Sequence, residues 1–493
     1  MAETILAFST TSLWEIHNAQ ILEICLREST SGNTVLVYHC QRSIAACRTN
    51  PNDLVSRCRS CIKQSKRNQR IFLPKGISNI RMVDVANLKM NSPEFHISSH
   101  EEMFLYNYQG FPFGRAVISQ LQTVLRESEI SNRDIQVSGN KILANAICLF
   151  HFFNREICEK GVSKIYVFGG RYAAERALIF AAKSSSIKFE TFETGSALDK
   201  IWTSELGETS FQSYISDIQA MEIGLLGQSR EVALREGQRY FLDWRGGQSH
   251  DPKYLNPNIG KKQSEAATFE VIDNTRFNQT QKRKMVAFTS TNYEVLAFDD
   301  FQILDSEKNT QYSVIQAIND CEEITNNFDV KVRWHPNSLT SSPSDIARMK
   351  ECINSSPNLN HIEPESDLNS YILIENCDIV VSFGSTIGIE ASAMGKPVIL
   401  LGKCSYSNIG ATLEPRNFSE FVNQLSSTYG ASNIEQALIW ASWRSSFGNK
   451  LRFVSMRGGF KFYINGRRIA TLNSRLNIVF NLIKHKIKNK FLI

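Results

Sequence analysis

No apolar run in this 493-residue sequence reaches the roughly 18 residues that a membrane-spanning helix requires. The longest candidate, residues 142–153, is too short and contains Asn145 and His151. The first residues carry Glu3 and no basic leader, so we expect no signal peptide. Eleven cysteines without an export signal are typical of a reducing compartment, and we therefore expect a cytoplasmic protein.

Acidic residues are missing from the end of the chain. Residues 447–493 contain eleven Lys and Arg but no Asp or Glu, although the whole chain has a formal net charge of only +6. Such asymmetry indicates an anionic surface as a partner. Residues 473–493 predict a basic amphipathic helix that would lie on an anionic membrane face, at the inner face of the cell membrane. A helix packed on the protein body is the alternative, and without a recognition module we do not expect nucleic acid as a partner.

The glycine fingerprint G-x-G-x-x-G is also missing, so no dinucleotide cofactor is indicated. Strand and helix patterns nevertheless alternate along most of the chain, which predicts an α/β protein with parallel sheets. A polar stretch without periodicity, residues 246–281, interrupts this alternation and reads as a linker. We therefore predict an N-terminal Rossmann-like domain over 1–245, a C-terminal domain over 282–446 and a basic tail over 447–493.

Four cysteines are clustered in a C-x6-C-x10-C-x2-C pattern: Cys40, Cys47, Cys58 and Cys61. The last pair has the spacing with which two thiolates bind one metal ion. Four sulfur ligands suit a structural zinc site or an iron–sulfur cluster, whereas buried structural cysteines and a redox pair are the alternatives. The stretch that follows, residues 64–75, is basic and polar and predicts a surface loop.

The most informative stretch is a strand, a turn and a helix over residues 377–394. The apolar run 379–381 predicts a buried strand, and the turn Gly384-Ser385-Thr386 leads into a helical pattern. Amide groups at a helix start beside small hydroxyl residues suit a diphosphate. Glu390, one turn into the helix, could accept from the hydroxyls of a ribose. A hydroxyl cap with a solvated glutamate is the alternative interpretation.

Two further strand ends in the second half carry polar side chains. Thr289 and Ser290 follow the strand pattern 285–288 and suit phosphate or sugar hydroxyls. Arg333 and His335 end the next strand, and the proline after His335 restricts its backbone.

Two strand ends in the first half are similar. Arg171 follows Gly169-Gly170 after the strand 164–168 and is suited to an anion. Glu193 ends the strand 187–192, where it would serve as a general base or cap the turn.

The motifs at 288–291, 332–336, 378–390 and 395–397 together resemble the C-terminal nucleotide-sugar domain of GT-B glycosyltransferases. The likeness is closest to the bacterial transferases that build capsules and other surface polysaccharides. Residues 168–171 and 193–195 look like the acceptor-side elements of the same group, in which Asn-Gly-Arg is commoner than Gly169-Gly170-Arg171.

The resemblance implies a fold of two Rossmann-like domains that face a cleft, and transfer of a sugar from a nucleotide-sugar donor to a polysaccharide or lipid-linked acceptor. It places the donor's diphosphate at Ser385 and Thr386 and its ribose at Glu390. Arg333 and His335 would stabilise the leaving phosphate, Glu193 would be the base, and no cofactor would be required for catalysis. A polyol-phosphate transferase, a nucleotide-sugar epimerase and a degenerate GT-B scaffold without activity remain alternatives.

Overall fold

The structure is a computed structural model of the chain. The residues that it describes are 2–10, 13–44, 46–47, 49–72, 79–85, 94–205, 210–246, 282–306, 309–427, 432–457 and 461–469. Residues 247–281 of the predicted linker and the predicted amphipathic helix over 473–493 lie outside them.

The described strands fall into three sheets. They are β1 Thr4–Ser9, β2 Thr34–Cys40, β3 Ile80–Val85, β4 Lys164–Phe168, β5 Lys188–Thr194, β6 Lys200–Ser204, β7 Arg283–Phe288, β8 Phe328–Arg333, β9 Asn360–Ile362, β10 Ile379–Ser382, β11 Val398–Leu400, β12 Asn449–Lys450, β13 Ser455–Arg457, β14 Lys461–Ile464 and β15 Arg467–Arg468.

Helices connect most of these strands, and a π-turn over Ile135–Gly139 and a 3-10 turn over Pro336–Thr340 adjoin them. The α-helices are α1 Glu15–Thr30, α2 Val55–Phe72, α3 His100–Leu105, α4 Phe113–Leu125, α5 Asn132–Asp134, α6 Asn140–Lys160, α7 Ala173–Ser184, α8 Phe211–Ile223, α9 Gln228–Arg245, α10 Asn292–Val295, α11 Gln311–Asp320, α12 Glu322–Asn327, α13 Pro343–Ser355, α14 Ser370–Glu375, α15 Ile387–Ala393, α16 Phe418–Ser427 and α17 Ile434–Ser446. Among the described residues, no helix combines the length and apolar character needed to cross a bilayer.

The first sheet has the order β12-β6-β5-β4-β1-β2-β3. Strands β1 to β5 run parallel, whereas β6 and β12 are antiparallel to their neighbours. Crossover helices cover both faces, because a parallel strand pair needs a long connection. Strands β2 and β3 follow β1 on one side of the sheet, whereas β4 and β5 lie on its other side. The switch point of this sheet therefore lies between β1 and β4.

The second sheet is entirely parallel, with the order β11-β10-β7-β8-β9. Strands β10 and β11 are short runs buried on both faces, as expected for a sheet covered by helices. Here the order reverses at β7, so the switch point lies between β7 and β10. Together the two sheets confirm the predicted fold class of two Rossmann-like α/β units.

The carboxyl edges of the two sheets face each other. The loop after β4 contacts the loop after β7, because the Arg171 guanidinium lies 4.4 Å from the centre of the Phe298 ring. Beside it, Arg176 forms an ion pair of 2.7 Å with Asp299. The side chain of Arg176 is only 2% exposed, so its guanidinium is buried in the contact between the two units.

The described part of the basic tail returns to the first sheet. Strand β12 extends that sheet at β6, and the carboxylate of Glu23 on α1 accepts the backbone N–H groups of Arg452, Phe453 and Val454. The tail also forms a hairpin with an Asn-Gly turn: β14 pairs with β15, and Asn465 and Gly466 have φ angles of 47° and 73°.

One local prediction is wrong. The basic stretch after the cysteine cluster is the continuation of helix α2 up to Phe72, and not a surface loop. Lys, Arg and Gln lose little side-chain freedom in a helix and are strong helix formers, so their polarity was a poor guide.

Candidate functional site

The candidate site is built at the switch point of the second sheet, where crevices outside strand ends commonly bind ligands. The ends of three neighbouring strands are tied together there. The Ser290 hydroxyl after β7 donates to the carbonyl of Phe383 after β10, at 2.9 Å. The backbone N–H of His335 after β8 donates to Thr289 Oγ1, also at 2.9 Å. Motifs that are almost 100 residues apart in the chain are therefore brought to one edge.

His335 is fixed in one orientation by its Nδ1 atom. This nitrogen accepts the backbone N–H of Asn337 at 3.1 Å and lies 3.2 Å from Thr291 Oγ1. Because Nδ1 acts as the acceptor, the network assigns the proton of the neutral ring to Nε2. Burial and the nearby charge of Arg333 lower the pKa of His335 to about 4. At neutral pH the ring is thus an uncharged donor through Nε2–H.

Arg333 itself is buried and makes its contacts within the protein. Its terminal nitrogens donate to the carbonyls of Glu363 and Ser366, the second at 2.9 Å. Burial lowers the pKa of Arg333, while the nearby Asp367 and Glu365 oppose the shift. The guanidinium therefore holds the loop after β9 and places a positive charge beside His335.

The turn between β10 and α15 has the conformation that a glycine allows. Gly384 has a φ of +89°, and a Cβ atom there would meet the carbonyl oxygens of Gly402 and Lys403 at 3.2 and 3.3 Å. The carbonyl of Ser385 accepts from the hydroxyl of Tyr406. Ser385 is half-buried and Thr386 is exposed, so the turn faces the crevice with its small hydroxyl side chains.

Glu390 is buried, with 7% of its surface exposed. The hydroxyl of Tyr371 donates to its Oε2 atom. Burial raises the pKa of Glu390 to about 7, although hydrogen bonds from Tyr371 and Thr386 and the charge of Arg245 oppose the shift. A carboxyl group poised near neutral pH beside a ligand crevice is typical of functional sites.

A small pocket adjoins Glu390 and Thr386. Its wall is formed by side chains of α9 and α17: Tyr240, Phe241, Trp244, Trp440 and Arg444. Neither this wall nor Tyr371 was predicted from the sequence. The available signal was the four-residue spacing of Tyr240 and Trp244, and of Trp440 and Arg444, which places each pair on one helix face.

The first sheet contributes its own carboxyl edge. Gly169 and Gly170 follow β4 with φ angles of 55° and 72°, and Arg171 lies on the contact with Phe298 described above. Glu193 is half-buried near the carboxyl end of β5, next to β4. The predicted acceptor-side residues are therefore at the edge that faces the second sheet.

The cysteine cluster is not assembled as a metal site. Among the described residues, which include all four of these cysteines, no group of three or more His, Cys, Asp or Glu side chains could hold a metal ion. Burial raises the pKa of Cys40 to about 12, and Cys58 accepts a hydrogen bond from Asn50. The structure therefore gives the predicted zinc or iron–sulfur centre no support.

The site thus belongs to a two-unit α/β protein whose sheet edges meet through Arg171 and Phe298. Residues 251–438 match the family model described as capsule polysaccharide biosynthesis protein. The resemblance to capsule biosynthesis proteins that the motifs predicted is confirmed over this segment. No curated protein matches the chain.

Solved structures show weak likenesses. The KpsC beta Kdo 2,7 transferase of Thermosulfurimonas dismutans is 14% identical with a TM-score of 0.32, over 68% of this chain and 90% of that chain. The KpsC beta Kdo 2,4 transferase of the same organism is 14% identical with a TM-score of 0.31, over 57% and 80%. A UDP-GlcNAc 2-epimerase from Neisseria meningitidis, bound to UDP-GlcNAc, is 12% identical with a TM-score of 0.23, over 86% and 90%. Likenesses of this size carry no functional assignment.

Proposed function

We propose that the chain is a glycosyltransferase of the GT-B type, which moves a sugar from a nucleotide-sugar donor to a capsular or other surface polysaccharide or glycolipid. Residues 1–245 would hold the acceptor and residues 282–446 the donor. One observation carries the proposal: Thr386 and Glu390 line a pocket beside the switch point of the second sheet, where Thr289, Ser290 and His335 tie three strand ends together. The family match over residues 251–438 supports the same assignment.

The donor would bind with its diphosphate against the turn Gly384-Ser385-Thr386. Thr289 and Ser290 are tied to the neighbouring strand ends and would shape the floor of that crevice. The carboxylate of Glu390 would accept hydrogen bonds from the two ribose hydroxyls through the pocket that it lines with Thr386. Hydrogen bonds to an ionised carboxylate are among the stronger ones in proteins.

In the transfer step, an acceptor hydroxyl attacks the anomeric carbon while the bond from that carbon to the phosphate oxygen breaks. Charge then develops on the leaving phosphate. Nε2–H of His335 would donate to that phosphate, because Nδ1 is already held by Asn337. Arg333 would act through His335, as a positioning residue whose guanidinium holds the loop carbonyls.

The acceptor would lie on the first sheet. Glu193 at the facing edge would take the proton of the attacking hydroxyl, and Arg171 would hold an anionic group of the acceptor. Arg171 follows β4, and Glu193 lies near the carboxyl end of the neighbouring strand β5.

Titration calorimetry with UDP, GDP, CMP and CDP tests the donor site. We expect one of these nucleotides to bind, and Glu390→Ala to weaken it at least about tenfold, since a hydrogen bond to a charged group contributes about 1.5–3 kcal/mol. Glu351→Gln, an exposed carboxylate on α13, is the matched control and should leave affinity unchanged. Equal affinity of the Glu390→Ala variant and the wild type would remove the central assignment.

A further inference from the structure

Helix α2 presents an unusually basic surface. It contains no Asp or Glu, and five of its cationic side chains are exposed. These are Arg57, Arg59, Lys63, Lys66 and Arg67. Within the described ranges none of them has an ion-pair partner, so their charges are directed to solvent.

The returning tail presents a second basic surface. Residues 447–469 contain no Asp or Glu. Besides Lys450 of β12, which forms an ion pair with Asp199, the exposed cations of this segment are Arg452, Arg457, Lys461 and Arg467. Strand β14 packs its apolar residues inward, so the charged residues of the small sheet remain outside.

Both surfaces lie against strand β2 of the first sheet. Val35 and Val37 of β2 share a core with Phe462 and Ile464 of β14. His39 points to the same face, because side chains alternate along a strand, and it is bonded at 2.9 Å to a serine of α2. We call the nine exposed cations named above, five of α2 and four of residues 452–467, the basic face.

The acidic residues of α1, which lies on this same face, do not neutralise it. Glu23 is buried and accepts three backbone N–H groups of the tail. Glu15 accepts the N–H of Phe462, and Glu28 accepts from Tyr166 and Asn33. These carboxylates are therefore engaged inside the protein, while the cations around them are outside.

Exposed apolar side chains accompany the cations. Leu54 and Val55 at the start of α2 are 52% and 41% exposed, and Met456 on β13 is 37% exposed. Cations interspersed with exposed aliphatic groups are the pattern with which proteins bind the interface of an anionic bilayer. A nucleic-acid surface would instead favour stacking aromatic groups and hydrogen-bonding side chains.

We propose that the basic face binds an anionic lipid bilayer, and thereby places the first sheet against the membrane. The described chain ends at Ile469 on this face, and the 24 residues that follow it in the sequence add five Lys and Arg and no acid. The folded surface of α2 contributes independently of those residues. Membrane binding does not depend on sugar transfer, so its test is separate from that of the proposed activity.

Sedimentation of the full chain with sucrose-loaded vesicles tests the proposal. Vesicles of phosphatidylcholine with phosphatidylglycerol should bind the protein, and vesicles of phosphatidylcholine alone should not. Replacing the five exposed α2 cations with Gln should lower the partition coefficient at least about tenfold, because each cation near an anionic surface contributes about 1 kcal/mol. Raised salt should weaken the wild-type binding.

A charge-matched variant controls for net charge. Replacing Arg133, Lys160, Lys188, Arg235 and Lys350 with Gln also removes five exposed cations, and it should bind these vesicles like the wild type. Thermal unfolding of both variants verifies that they fold. The proposal would be overturned if both variants lost the same amount of vesicle binding. It would also be overturned if the wild type bound equally well to vesicles with and without phosphatidylglycerol. An α2 variant that binds vesicles normally but loses affinity for heparin or a single-stranded RNA would overturn it as well.

Discussion

Two side chains of the site, Glu390 and His335, have pKa values that differ from those of exposed residues. Glu390 has a pKa raised to about 7, whereas that of His335 is lowered to about 4. The raised pKa means that Glu390 stabilises the fold fully below its unfolded pKa of about 4.5, and that this contribution is lost as pH rises through about 7. The lowered pKa of His335 has the opposite sense: its contribution is present above its unfolded value and is lost as pH falls toward 4.

Nucleotide affinity should therefore depend on pH through Glu390. The ionised carboxylate is the better acceptor for ribose hydroxyls, so wild-type affinity should rise as pH increases through about 7. In Glu390→Gln this part of the profile should be absent, and only the titration of the phosphate, near pH 6, should remain. Calorimetry across pH 5.5 to about 8.5 with both proteins measures the difference. Parallel profiles would show that Glu390 does not contact the ribose.

Two variants of His335 separate its structural role from its chemical role. His335→Asn keeps an acceptor near the Nδ1 position for the N–H of Asn337 but removes the Nε2–H donor. His335→Gln retains a donor near Nε2. If this donor serves the leaving phosphate, kcat should fall about 100-fold in the Asn variant and recover partly in the Gln variant, with similar melting temperatures. Equal kcat values in both variants would assign His335 to packing alone.

The geometry of the site also depends on how helix α15 packs against strand β10. Helix α15 lies so close to β10 that a Cβ atom on Gly388 would meet Tyr406 Oη at 2.5 Å and Ser382 Oγ at 2.8 Å. The close approach places the turn at Gly384 and the start of the helix together at the crevice. Glycine is required at position 388 for packing, and not for an unusual backbone angle.

Gly388→Ala should consequently destabilise the fold by about 1–3 kcal/mol, through overpacking of the helix against the strand. Chemical denaturation measures this change. The control is Gly224→Ala, whose φ of −79° any residue adopts and whose nearest neighbour, Met221 O, is 3.4 Å from the added Cβ. That control should stay within about 0.5 kcal/mol of the wild type. A Gly388→Ala protein as stable as the control would show that α15 can move away from β10.

Local patterns were sufficient to predict the elements of the crevice. The apolar runs before Thr289, His335 and Gly384 are buried strands, and small or restricted residues follow each of them, as the sequence indicated. The pocket wall was missed because Tyr240 and Trp440 are 200 residues apart, and no local signal joins them. The cysteine pattern misled for the same reason, since sequence spacing alone does not fix where four thiols lie in space.

In the molecule as a whole, the tail of the chain packs against helix α1 near its beginning. The buried carboxylate of Glu23 accepts three consecutive backbone N–H groups, which fixes residues 452–454 against α1. This contact joins positions more than 400 residues apart, and no local pattern predicts it because Glu23 is one polar residue within a helix.

Glu23→Gln should release this contact, because an amide cannot accept three N–H groups as a carboxylate does. We expect a loss of about 2–3 kcal/mol and faster amide hydrogen exchange at Arg452, Phe453 and Val454. Glu159→Gln, an exposed glutamate on α6, is the control and should leave exchange unchanged. Unchanged protection in Glu23→Gln would mean that strand β12 alone holds the tail.

The central claim is that a nucleotide occupies the crevice at the switch point of the second sheet. The most direct measurement is a crystal structure of the chain with the nucleotide that calorimetry selects. The account predicts ribose hydroxyls within hydrogen-bond distance of the Glu390 carboxylate and phosphate oxygens against the turn at Ser385. A nucleotide bound at any other place, with Glu390 still covered by Tyr371 and out of contact, would contradict it.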